Sequence, residues 1–136
     1  MPESDLAKLL STLRVHKRDG VWRYETIRTD EASWAELVNL RAVRTIAMLF
    51  QETEGLTVIT AADQDTPHHN RWVWLELSVY SDLQAVGFLA RVSAALADAD
   101  VPCNAVAAFH HDHIFVPEQD GRRAMKVLEE LQKSGN

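Results

Sequence analysis

Ser81, Asp82, Leu83, Val86, Gly87 and Phe88 stand where a strand gives way to a helix, in the run YSDLQAVGFLARVSAALADAD. The first turn of a helix leaves N–H groups without intrahelical acceptors. Such groups attract anions, by about 0.3–1 kcal/mol at an exposed position. Gly87 has no side chain to keep a ligand off the backbone, and Asp82 offers a carboxylate to an ammonium group. An amino acid carries both charges, so the pattern suits binding of a small polar ligand. The plain alternative is structural: Ser81 or Asp82 caps the helix, and Gly87 lets it pack closely on a sheet. Asn104, Val106 and Ala108 share one face of the next strand, with Cys103, Ala105 and Ala107 on the other. Small residues there leave room for a ligand or for a closely docked helix.

The run from His110 to His113, HHDH, invites a metal. Catalytic zinc takes three protein ligands and keeps one position open. In an extended segment His111 and His113 point to one side while His110 and Asp112 point to the other, so a ligand set lacks its third member. The pattern is read as a hairpin turn with polar contacts, Asp112 being a natural turn residue. A metal-dependent enzyme built on this turn is the alternative. No nucleophile, base and orienting group can be named together, so no catalytic residue, metal or cofactor is expected. Cys103 is the single cysteine, which excludes an internal disulfide, and its apolar surroundings suit a packed, inert thiol.

Net charge separates the possible partners. The chain of 136 residues carries −6, and the deficit is shared: 8 basic and 11 acidic groups in residues 1–70, 6 and 9 thereafter. Neither half offers a basic face for phosphates, so nucleic acid is not an expected partner. Trp22, Trp34, Trp72 and Trp74 therefore read as core or interface anchors rather than as a stacking platform. No apolar run reaches the roughly 20 residues that cross a bilayer, and MPESDLAKLL lacks the basic start of a secretion signal. The expected setting is cytoplasmic, without membrane contact.

These residues need elements to position them. Ser4 can cap a helix carrying Leu6, Leu9, Leu10 and Leu13. The turn Asp19-Gly20 suggests a hairpin between a segment near Arg14–His16 and the strand at 21–27. Asp30 can cap a short helix with Trp34, Leu37 and Val38, and strands at 44–51 and 56–61 flank Glu54-Gly55. The polar stretch 63–70 reads as a linker. Beyond it, Val73, Leu75, Leu77 and Val79 alternate with Trp74, Glu76, Ser78 and Tyr80, a strand with one face on a core. If its aromatic face is uncovered, that face is a surface for self-association.

Ser81 and Gln84 form a capping box, and Leu83, Val86, Leu89, Val92 and Leu96 make the stripe of the following helix. Short strands at 103–109 and 113–116 precede a helix opened by Pro117, with Ala124, Met125, Val127, Leu128 and Leu131 inward. The second half is thus β-α-β-β-α, one strand short of a ferredoxin-like sheet. A strand from the first half can complete it, and LTVITA at 56–61 is the candidate.

EGLTVI at 54–59, SDLQAVGFL at 81–89 and FHHDHIFV at 109–116 together resemble an uncharacterised bacterial family of ACT-domain proteins with two ACT-like halves. The resemblance is strong from 54 to 130 and weak before 40. It implies an α+β fold: ferredoxin-like (ACT-like) β-α-β-β-α-β sandwiches in tandem, antiparallel sheets with helices on one face. The halves would be 1–62 and 71–136, joined by the linker 63–70. ACT domains are regulatory modules that bind amino acids and similar ligands, often between paired domains. Ser81, Asp82, Leu83, Val86, Gly87, Phe88, Asn104 and Val106 are then the expected ligand contacts. The familiar Pro-Gly pair is absent, since Val86 precedes Gly87. The expected function is a non-catalytic sensor of a small molecule, an amino acid first, acting as a homodimer. A purely structural self-association module is a further alternative.

Overall fold

The computed structural model describes residues 6–28, 35, 39, 45–79 and 86–134. They divide into two compact units, Met1–Asp19 with Val73–Asn136, and Gly20–Trp72. Helices are α1 (Leu6–Ser11), α2 (Phe88–Asp98) and α3 (Gly121–Ser134). Strands are β1 (Arg14–Lys17), β2 (Trp22–Ile27), β3 (Ile46–Gln51), β4 (Leu56–Ala61), β5 (Trp72–Ser78), β6 (Asn104–Ala107) and β7 (Asp112–Pro117). The Ser4 cap and the short helix at Asp30, Trp34, Leu37 and Val38 lie outside the described residues.

In the first unit the strands run in the order β1-β5-β7-β6. Period-two alternation sorts the side chains as expected. Val73, Leu75 and Leu77 of β5 meet Ile114 and Val116 of β7 in one core, with Phe88, Val92 and Leu96 of α2 and Ala124, Leu128 and Leu131 of α3. Leu75, Val92, Leu96, Ile114, Val116 and Leu128 are fully buried. Each such aliphatic side chain contributes about 1.5–3 kcal/mol relative to exposure. Gly121 starts α3 against Val73, where a Cβ would lie 3.4 Å from Val73 Cγ2. Pro117 thus ends β7, and a 3-10 turn at Glu118–Asp120 separates it from the helix that it was expected to open.

The strand that joins this sheet from earlier in the chain is β1, not LTVITA. β1 pairs antiparallel with β5, Arg14 opposite Ser78 and Lys17 opposite Leu75. Arg18 N–H extends the ladder to the Trp74 carbonyl at 2.9 Å. The hairpin expected across Asp19-Gly20 does not form, because the edge of β5 takes β1 while β2 pairs with β4.

In the second unit β4 is central, flanked by β3 and β2. Ile27, Leu56 and Val58 form its core, with Ile46 packed against them. Glu52 N–H reaches the Gly55 carbonyl at 2.9 Å and closes the β3–β4 turn. Residues 63–70 belong to this unit instead of linking two others. Thr66 is buried, its hydroxyl held against Asp63 Oδ1 at 3.1 Å, and Asn70 bonds to the backbone of Tyr24. That polar stretch is folded, tied to itself at Asp63–Thr66 and to β2 through Asn70. His68 and His69 within it remain exposed.

Candidate functional site

The start of α2 is set by Gly87, at φ 90° and ψ −6°. This left-handed backbone suits glycine, because a Cβ would press on the neighbouring carbonyl. Helical geometry begins only at Phe88. The expected inward position of Val86 is therefore corrected: Val86 is 84% exposed and precedes the helix, while the expected capping box of Ser81 and Gln84 falls outside the described residues. Ser81, Asp82, Leu83 and Gln84 lie outside the described residues.

Gly87 cannot cap with a side chain, and its carbonyl accepts from Arg91 N–H at 2.9 Å. The first-turn amides have no intrahelical acceptor. Among the described residues, a Cβ on Gly87 would meet Leu6 Cδ2, at an ordinary contact distance of 3.7 Å. Phe88 turns into the core at 4% exposure, which leaves its backbone but not its ring for a ligand.

Asn104 and Val106 belong to another surface. They stand opposite Phe115 and His113 in the β6–β7 ladder. Residues directly opposite in a ladder share a face, so Asn104 and Val106 lie on the side of the sheet away from the helical core. The structure does not bring the side chains of Phe88 and Asn104 to one face. An open cavity of about 400 Å³ does lie between α2 and α3, lined by Arg91, Ala95, Val127 and Leu131 among others. None of the expected ligand contacts among the described residues lines it.

The helix-free face carries a side-chain cluster that sequence reasoning found only in part. Trp74 Nε1 donates to His113 Nδ1 at 2.9 Å. Arg18 lies over the Trp74 ring, 4.1 Å from its centroid, and its Nη1 is 3.3 Å from Glu76 Oε1. Glu76 Oε2 is 3.8 Å from His111 Nε2, and His111 Nδ1 is 3.4 Å from Ser78 Oγ. Burial pushes the His113 imidazole below its ordinary range, against the pull of Glu76. Alternation already placed Trp74 and Glu76 on one face and His111 and His113 on one side. Arg18 carries no such signal, because it enters only through the pairing of β1 with β5.

This cluster does not make a metal centre. Among the described residues no three histidine, cysteine, aspartate or glutamate side chains gather closely enough to hold an ion. His113 Nδ1 is already engaged by an indole N–H. The β6–β7 connection is residues 108–111, closed by Ala108 N–H on the His111 carbonyl at 3.1 Å. Asp112, expected in the turn, instead opens β7 opposite Ala107. No helix among the described residues is long and apolar enough to cross a membrane.

The whole chain has relatives. Residues 1–70 and residues 71–130 each match an ACT domain. No curated protein matches the sequence. Among solved structures, a Vibrio cholerae protein of unknown function, described as a possible transport protein, is 25% identical. It aligns over 93% of this chain and 95% of its own, with a TM-score of 0.75. An Agrobacterium tumefaciens protein aligns over 88% and 89% at 15% identity, TM-score 0.66. The ligand-free regulatory subunit of aspartate kinase from Thermus thermophilus shares the fold at 8% identity, over 86% and 95%, TM-score 0.62. The architecture is accordingly the expected tandem ferredoxin-like one, and two matched domains over nearly all of its length place the chain in the ACT-domain family.

Proposed function

We propose that this protein is a non-catalytic regulatory sensor of a small polar metabolite, an amino acid being the class that its chemistry suits best. One observation carries the reading: the N-cap of α2 is a left-handed glycine without a capping side chain, beside first-turn amides that a carboxylate can meet. In this reading Gly87 and the Phe88 backbone receive the ligand carboxylate. Asp82 pairs with its ammonium group, and Ser81, Leu83 and Val86 frame the opening. The exposed Val86 then gains a partner on binding.

Asn104 and Val106 face the other side of their own sheet, so they join such a site only from a second subunit. That fits a homodimer in which each ligand is shared. The regulatory subunits of aspartate kinase that share the fold support a regulatory role. Binding would act as a population shift, favouring the arrangement with the higher ligand affinity. A cytoplasmic setting fits the single unpaired cysteine.

The test is an amino-acid panel read by thermal unfolding and calorimetry. A true ligand stabilises the native state by about 2.7 kcal/mol at 100 times its Kd. Asp82→Asn should weaken that response without lowering the melting temperature of the free protein. If no amino acid shifts the transition or gives binding heat, the amino-acid reading is wrong.

A further inference from the structure

We infer that Trp74 and His113 form a proton-operated latch on the helix-free face of the first unit. An indole nitrogen can only donate a hydrogen bond. Its bond to His113 Nδ1 at 2.9 Å therefore requires a neutral imidazole whose proton sits on Nε2. Protonation must occur at Nδ1, the atom that the indole occupies. The imidazolium has two donors and no acceptor, so charging His113 and keeping this bond are mutually exclusive. A ring flip does not help, because both nitrogens then carry hydrogen.

The bond is built into its surroundings. Trp74 is only 7% exposed and its ring lies 5.7 Å from that of Phe115, itself 2% exposed. A tryptophan packed this closely cannot swing its N–H to a new acceptor without moving its ring. Arg18 stacks on the same indole and holds Glu76. Displacing Trp74 therefore disturbs the ion pair that ties the end of β1 to β5.

Among the described residues, the charged and titratable groups around His113 are Arg18 after β1, Glu76 of β5, and His111 and Asp112 on its own side of the hairpin. His16 of β1 stands opposite Glu76 in the ladder. The residue opposite His113 on β6 is Val106, which is apolar. Glu76 thus faces both imidazoles on this side of the sheet and is already engaged by Arg18. A proton arriving at His113 adds a cation to a carboxylate that has one, and removes the tryptophan's acceptor in the same event.

The experiment is a titration of the full-length, nitrogen-15-labelled protein between about pH 8 and 5, the range in which histidine changes charge. The Trp74 indole cross-peak, assigned by triple-resonance methods, is followed with the His113 ring signals. The latch predicts loss of the hydrogen-bonded downfield shift of the Trp74 indole proton, with the same midpoint as His113 protonation. Glutamine keeps an acceptor but cannot titrate, so His113→Gln should make the Trp74 signal independent of pH. A Trp74 signal that stays put while His113 titrates overturns the inference, as does an unchanged titration in H113Q. So does a His113 that remains neutral until the protein unfolds. Should H113Q fail to fold, the coincidence of the two wild-type midpoints decides alone. Neither outcome depends on whether an amino acid binds at Gly87.

Discussion

Asn70 closes both ends of one residue's backbone: its Oδ1 accepts from Tyr24 N–H at 3.0 Å, and its Nδ2 donates to the Tyr24 carbonyl at 2.9 Å. The side-chain amide thereby imitates a neighbouring strand at that point of β2. Oδ1 also accepts from Trp72 Nε1 at 3.2 Å, which fixes the ring that meets Tyr24 edge-on. Asn70→Ala removes all three bonds, each worth about 0.5–1.5 kcal/mol net. Asn70→Asp keeps an acceptor for Tyr24 N–H but sets a carboxylate against the Tyr24 carbonyl. Both variants should lower stability in urea unfolding, and aspartate should not rescue the loss caused by alanine. An aspartate variant as stable as wild type would mean that Nδ2 contributes nothing.

Acid should destabilise the first unit through His113. Burial holds this imidazole below its ordinary value of 6.5, so on acidification the unfolded chain takes up the proton first. The contribution is fully present above 6.5 and is lost as pH falls through the lower folded value. Asp112 has the opposite sign: burial raises its carboxyl above 3.8, and that contribution is present below 3.8 and lost as pH rises through the folded value. Urea unfolding at stepped pH should show stability declining below 6.5 in wild type and a flatter profile in H113Q. Asp112→Asn should remove the relative gain on the acid side near pH 4, a region set by the ordinary value of 3.8.

Gly55 should tolerate alanine worse than Gly87 does. A Cβ on Gly55 would lie 2.8 Å from the Ile27 carbonyl oxygen, and that oxygen is backbone held in the β2–β4 pair. On Gly87 the added carbon meets, among the described residues, Leu6 Cδ2 at 3.7 Å, so its cost is set by the left-handed backbone, about 1–2 kcal/mol. Thermal unfolding should rank Gly55→Ala below Gly87→Ala. Equal losses would show that backbone strain outweighs the clash.

The single thiol should be sluggish. Cys103 packs against the first unit's core, and burial raises its pKa. The thiolate is the reactive form, so an aromatic disulfide reagent at neutral pH should label the native protein several-fold more slowly than the urea-unfolded one. Equal rates in the two states would remove the packed-thiol reading.

What was legible in the chain was local and periodic. Val73, Leu75 and Leu77 alternate and all enter one core; Val92 and Leu96 mark the inner face of α2; Ala124, Leu128 and Leu131 do so for α3. Burial acts on each of these elements with a fixed period, so the order of residues along the chain is enough to read it. The β6–β7 hairpin was legible in the same way, though Asp112, read as a turn residue, belongs to β7. Of the candidate site, only the place of Gly87 near the start of a helix could be read. Its left-handed backbone, and with it a helix that starts at Phe88, depends on how the chain enters α2.

Tertiary structure alone decided which strands became neighbours. β1 is four residues with no apolar alternation, and its place beside β5 comes from the chain between Lys17 and Trp72 being folded back. The same pairing brings Arg18 over Trp74 and beside Glu76. Strand partnership is settled by whichever backbone edge lies free once the cores have formed. Such an edge belongs to the assembled sheet and leaves no mark on the residues that will occupy it.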